Sequence, residues 1–144
     1  MKKLLLCALL GLSTTLSFAQ DAGARDTLYK ALGEKPGLVR LMDDFMPRLV
    51  ADPRTQPFFG PADQHRVKEQ LVAQFCQLSG GPCDYQGKDM KTAHMNQQIT
   101  RGDFNALVEV LQVSMDAQGY PFSTQNQLLA RLAPMHRAVI TTEK

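Results

Sequence analysis

The sequence predicts an all-α domain, and three observations carry that reading. Apolar residues recur at helical rather than alternating spacing, residues that start or stop helices bracket each recurring stretch, and strand signals are absent. The first long stretch carries Leu38, Met42, Phe45 and Leu49, and Asp52-Pro53 ends it. Asp63 can cap the second, which carries Val67, Leu71, Phe75 and Leu78 and stops at Gly80-Gly81-Pro82. A loop over Pro82 to Gly87 leads to a short helical piece around Met90 to Gln97. Asp103 caps the third long helix, with Phe104, Leu107, Val108, Leu111 and Met115 on one stripe and Gly119-Tyr120-Pro121 at its end. Thr124 and Gln127 form a capping box for the last, which carries Leu128, Leu129, Leu132, Met135 and Val139. Pro47 and Pro134 fall inside helical patterns, where each either bends the helix or breaks it.

The first 19 of the 144 residues stand apart. Lys2-Lys3, the apolar run Leu4 to Leu12, the polar Ser13-Thr14-Thr15 and the small-residue site Ser17-Phe18-Ala19 read as an export signal cleaved after Ala19. A membrane anchor wants about 20 predominantly apolar residues, twice this run, so no span is expected in the mature protein. Residues 20–144 form one domain in which 14 basic residues balance 14 acidic ones, which leaves little charge for gripping nucleic acid. Removing the signal also removes Cys7 and leaves Cys76 and Cys83, seven residues apart. A chain reversal at Gly80-Gly81-Pro82 would bring them together, and a periplasmic or secreted location would favour a disulfide.

One histidine stands out. Met90, Ala93, His94 and Gln97 share a face of the short piece, so His94 lies beside apolar residues after a long loop. It reads either as a core histidine satisfied by backbone or as a ligand. Zinc is a poor candidate, because His65, His94, His136 and the two cysteines offer no close ligand pair of the usual spacing.

Tyr85, Gly87, Met90 and His94, with Gly80-Gly81-Pro82 before them and Asp103-Phe104 after, resemble the centre of a group I truncated haemoglobin. Leu28-Tyr29, Leu32-Gly33, Asp44-Phe45, Ala51-Asp52 and Phe58-Phe59 agree in order and spacing, so the resemblance spans roughly residues 27 to 140. It implies a two-over-two helical sandwich around haem b, with His94 bonded to iron from the proximal side and Phe59 wedged against the porphyrin. Phe45, Val67, Leu71 and Met90 would contribute apolar walls, and Lys68 and Lys91 would face the haem propionates. Phe75 would line a ligand route or serve as an ordinary core aromatic.

The sequence also departs from the pattern. The family's distal tyrosine and glutamine positions hold Met46, Val67 and Leu71, all without a hydrogen-bond donor, so faster dioxygen release is expected than in tyrosine-bearing relatives. Gln70 or Gln74 would restore a donor if the helix were shifted. Met46 could instead bind iron as a sixth ligand, and His65 reads as solvated. His136, within Ala133-Pro134-Met135-His136, matches a histidine that a few relatives join covalently to a haem vinyl group; otherwise it is a surface residue. Glu34 stands where the family usually has a second glycine, so the turn there is expected to be rebuilt. The functional expectation is reversible binding of dioxygen, carbon monoxide or nitric oxide. The alternatives are nitric oxide dioxygenation, which needs a reductant, and electron transfer or redox sensing.

Overall fold

The computed structural model describes residues 27–142; the expected export signal lies outside the described residues. All regular structure among them is helical. Helix α1 (Thr27–Ala31) meets α2 (Glu34–Ala51) at a tight turn, and α3 (Gln56–Phe59) is a single turn. Then come α4 (Gln64–Leu78), α5 (Met90–His94), α6 (Arg101–Ala117) and α7 (Phe122–Leu132), and a 3-10 turn over Ala133–Met135 leads into α8 (His136–Val139).

Helix α2 packs on both α4 and α6, and α7 packs on α1, α4 and α6. The apolar stripe of α2 causes this arrangement: Leu38, Leu41, Met42, Phe45 and Leu49 are buried against Leu111 and Met115 of α6 and Leu128 of α7. Each such side chain contributes about 1.5–3 kcal/mol on leaving water. Among the described residues no helix is long and apolar enough to cross a membrane.

Several expected boundaries hold. Asp63 accepts a hydrogen bond from the Arg66 amide at 3.1 Å, and α4 ends at the glycine pair, where Gly80 takes φ 88°. Others need correction. Thr100, not Asp103, caps α6: the Thr100 hydroxyl oxygen accepts from the Asp103 amide (3.2 Å), while the Asp103 carboxylate accepts from the Thr100 amide (2.9 Å). Asp103 is the reciprocal partner of that box, three residues into the helix. The box expected at Thr124 and Gln127 does not form, because α7 has already started after Pro121, whose φ of −59° suits a helix start. Thr124 is buried within the helix, and Gln127 donates to the Ser123 carbonyl. Pro47 stays inside an unbroken α2, whereas Pro134 occupies the 3-10 turn that separates α7 from α8.

The Cys76–Cys83 disulfide is present, with Cα atoms 5.7 Å apart. Beside it, Gly81 fits where no side chain would: a Cβ would lie 2.6 Å from the Tyr29 ring and 2.7 Å from Cys76 Sγ. This close approach docks α1 on the end of α4, where the Tyr29 amide also donates to the Ser79 carbonyl at 3.1 Å.

The α1–α2 turn keeps its left-handed geometry despite Glu34. Gly33 takes φ 76° and Glu34 takes φ 58°, so a glutamate occupies a conformation that costs an L-residue about 1–2 kcal/mol. Glu34→Gly is therefore expected to stabilise the protein by roughly 0.5 kcal/mol, the relief exceeding glycine's extra chain entropy. Urea denaturation checks this; a midpoint lower than wild type contradicts it.

Candidate functional site

Val67, Leu71 and Gln74 fall at i, i+4 and i+7, so they share one face of α4. Val67 and Leu71 are half-buried against the core, and Gln74 is 8% exposed. The Gln74 amide Nε2 lies 3.3 Å from Met90 Sδ and 3.8 Å from Met135 Sδ, so it reaches across to α5 and to the turn before α8. No shift of the helix is needed to turn it inward. Gln70 points elsewhere: its buried Oε1 has no hydrogen-bond partner and abuts Gly87, where a Cβ would lie 2.3 Å from it.

The five residues of α5 are too few to hold a helix by themselves, and local bonds fix them. The Asp89 carboxylate accepts from the Thr92 amide at 3.0 Å and from the Thr92 hydroxyl at 2.6 Å, which also holds the carboxyl below the usual carboxylate range. Upstream, the Tyr85 amide donates to Gln77 Oε1 (2.8 Å) and the Tyr85 hydroxyl to the Lys88 carbonyl (2.9 Å). The helix ends at His94 rather than running to Gln97: Met95 leaves the helical region, and Asn96 and Gln98 take φ 69° and 53°.

His94 is half-buried, and its Nδ1 lies 2.7 Å from the Met90 carbonyl oxygen. A carbonyl only accepts, so Nδ1 carries the hydrogen and Nε2 presents its lone pair. Helix α8 packs on α5, and the His136 ring meets Phe104 edge-on with centroids 6.2 Å apart.

Met46 and Lys68, among the other candidates, line a cleft. The cleft, of about 210 Å³ between α2 and α4, is lined by Met42, Met46, Pro47, Gln64, His65 and Lys68, with Asp43 at its rim. The Lys68 ammonium pairs with Asp43 across that rim. His65 is solvent-exposed, as expected, and lies 3.7 Å from Glu69. Lys91 is exposed on α5, Phe45 and Phe75 are buried in the core, and Phe59 packs on its margin. The cleft does not include His94. No cluster of three or more histidine, cysteine or acidic residues that could hold a metal ion forms among the described residues.

The family model for bacterial-like globins matches residues 27–141. The chain belongs to the bacterial-like globin family. This globin is 29% identical to the group 1 truncated hemoglobin of Mycolicibacterium paratuberculosis over 81% of this chain and 86% of that one. It is 26% identical to the group 1 truncated hemoglobin of Nostoc commune, covering 79% and 97%. In fold it is similar to the Fe(III) form of Tetrahymena pyriformis truncated hemoglobin, with TM-score 0.76, 23% identity and coverage of 80% and 98%. It is also similar to a Synechococcus 2/2 hemoglobin in the cyanomet state with covalently attached heme, at TM-score 0.74, 21% identity, 80% and 98% coverage. The two-over-two helical fold is thus the one that the resemblance implied.

Haem suits the residues this globin presents. One imidazole whose Nε2 presents its lone pair is the donor that haem iron takes in globins, and Met90, beside it, is an apolar neighbour for a flat macrocycle. The sequence turns Gln74 inward only for a shifted helix, although its i+7 spacing from Val67 is a signal for the observed register.

Proposed function

We propose that this globin binds haem b through His94 Nε2 and reversibly holds a diatomic gas, dioxygen, carbon monoxide or nitric oxide. The observation that carries the reading is the 2.7 Å bond from His94 Nδ1 to the Met90 carbonyl, which sets the tautomer and orients the ring. Bound haem would supply the iron at which gas binds. The chain's part is to present the imidazole, to surround the macrocycle with apolar side chains and to limit water. An exported, periplasmic setting is supported by the signal-like Met1 to Ala19 and by the Cys76–Cys83 bridge, which suits an oxidising compartment.

A spectrum of the purified mature protein tests this. The expected result is a Soret band, five-coordinate in the ferrous form and shifted by carbon monoxide; no Soret band after haem addition overturns the reading. The second reading, an electron carrier or redox sensor, draws on Met46, whose side chain lines the cleft and whose thioether could serve as a sixth ligand. A six-coordinate low-spin ferrous spectrum that Met46→Ala makes five-coordinate would favour it. Nitric oxide dioxygenation needs a reductant, and rapid mixing of the oxygenated protein with nitric oxide tests it.

The reading extends to covalent attachment through His136, whose helix packs on α5. Acid-acetone extraction is expected to leave haem on the wild-type chain and to release it from His136→Ala. Free extraction from the wild type excludes the bond.

A further inference from the structure

Met95 to Gln98 link His94 to Ile99, and this link is strained. Two of the three non-glycine residues with positive φ among the described residues lie in it, Asn96 at 69° and Gln98 at 53°. The left-handed region is costly for L-residues, and strained backbone persists only where its surroundings hold it. Inside the link the Gln97 amide donates to the His94 carbonyl at 3.2 Å, the long end of the range for such bonds. The far end, Ile99, must therefore be fixed by something firmer.

The C-terminal segment fixes it. Ile99 is buried but lies outside the main core cluster, so apolar packing there does not anchor it. Both of its backbone groups are instead taken by residues more than 40 positions later: its N–H donates to the Thr141 hydroxyl oxygen at 2.9 Å, 42 residues on. Its carbonyl accepts from the Thr141 amide at 2.9 Å and from the Thr142 amide at 3.0 Å. Thr141 thus donates to Ile99 and accepts from it. The clasp also joins two elements of the site, because Thr141 closely follows α8, which packs on α5 and sets His136 against Phe104. Helix α5 is held at its entry by the Asp89 cap and, through the link, at its exit by Thr141.

We propose that Thr141 is a positioning residue for His94: by clasping Ile99 it keeps the imidazole aimed at haem iron and slows the loss of haem. The inference rests on the haem reading above. When the clasp opens, the strained link relaxes and the last turn of α5 frays. His94 Nδ1 then parts from the Met90 carbonyl, and Nε2 is no longer aimed.

Three full-length variants test this, at a residue exposed enough that substitution disturbs little packing. Thr141→Val keeps the shape and removes the hydroxyl. Thr141→Pro removes the hydroxyl and the amide N–H, and Ile140, at φ −70° and ψ 118°, already has the extended backbone that precedes proline. Thr141→Ser returns the hydroxyl. Haem transfer from the loaded protein to excess apomyoglobin is expected to quicken roughly 2- to 10-fold in Thr141→Val and roughly 10- to 100-fold in Thr141→Pro, for one and two lost hydrogen bonds. Thr141→Ser should transfer haem at close to the wild-type rate. The iron–histidine stretching band should shift and broaden in the first two variants only. Hydrogen exchange at the Ile99 amide of the haem-free protein should quicken in the same order. Faster Ile99 exchange with unchanged haem loss and an unchanged band overturns the proposal, since the clasp would then tie down only the chain end. Haem loss as fast in Thr141→Ser as in Thr141→Val overturns it too. A wild type without a Soret band overturns the haem reading and this proposal with it, whereas a normal Soret band with unchanged haem loss overturns this proposal alone.

Discussion

His94→Gly is expected to weaken haem binding by more than about a hundredfold, since losing a partner of a metal ligand already costs about 10- to 100-fold and this substitution removes the ligand. Free imidazole added to the variant should restore much of the wild-type spectrum by occupying the vacated space. The fold should survive, because His94 is the last residue of α5 and glycine is well tolerated at a helix end. Haemin titration followed at the Soret band reads the affinity, and far-UV circular dichroism confirms the helices. Wild-type affinity in the variant, or no response to imidazole, contradicts the assignment.

The largest expected effect on stability is at Gly37, well away from the site. By helix propensity alone, Gly37→Ala inside α2 should stabilise by up to about 1 kcal/mol. The geometry reverses the sign. An added Cβ would stand 1.9 Å from the Leu32 carbonyl oxygen and 2.9 Å from its carbon, both backbone atoms that cannot rotate away, and 3.4 Å from the Tyr120 hydroxyl. That hydroxyl donates to the Leu32 carbonyl at 2.8 Å and ties the α1–α2 turn to the segment between α6 and α7. Its burial raises the Tyr120 pKa, which keeps the hydroxyl protonated as a donor. Overpacking of about 1–3 kcal/mol, together with loss of a hydrogen bond worth about 1 kcal/mol, outweighs the propensity gain. Net destabilisation of roughly 2–3 kcal/mol is expected in urea denaturation. Tyr120→Phe, which removes only the hydroxyl, should cost about 1 kcal/mol. A Gly37→Ala midpoint at or above wild type contradicts this packing account.

What the sequence disclosed and what it hid divide by range. The four long helices, the Asp63 cap and the Gly80-Gly81-Pro82 stop rest on neighbours within a few residues, and they were legible. So was the disulfide, whose cysteines are seven residues apart across that stop. Choosing Thr100 over Asp103 required the backbone angle at each, because both residue types cap helices and three residues separate them. Gly37 reads as a weak spot in a helix until Leu32 and Tyr120 are seen to converge on it, the latter from 83 residues away. Lys68 is expected to face a haem propionate, and its pairing with Asp43 shows only once α2 and α4 lie side by side. In the site, the resemblance around His94 singled out the histidine, but the tautomer came only from the Met90 carbonyl contact. Gln74 was considered as an inward donor only for a shifted helix, and the observed register turns it inward unaided.

The iron–histidine stretching band in the resonance Raman spectrum of the ferrous, gas-free, haem-loaded protein tests the central claim most directly. The account predicts a band from a neutral imidazole in the wild type and its loss in His94→Gly. No such band in the wild type, or the same band persisting in His94→Gly, would contradict it.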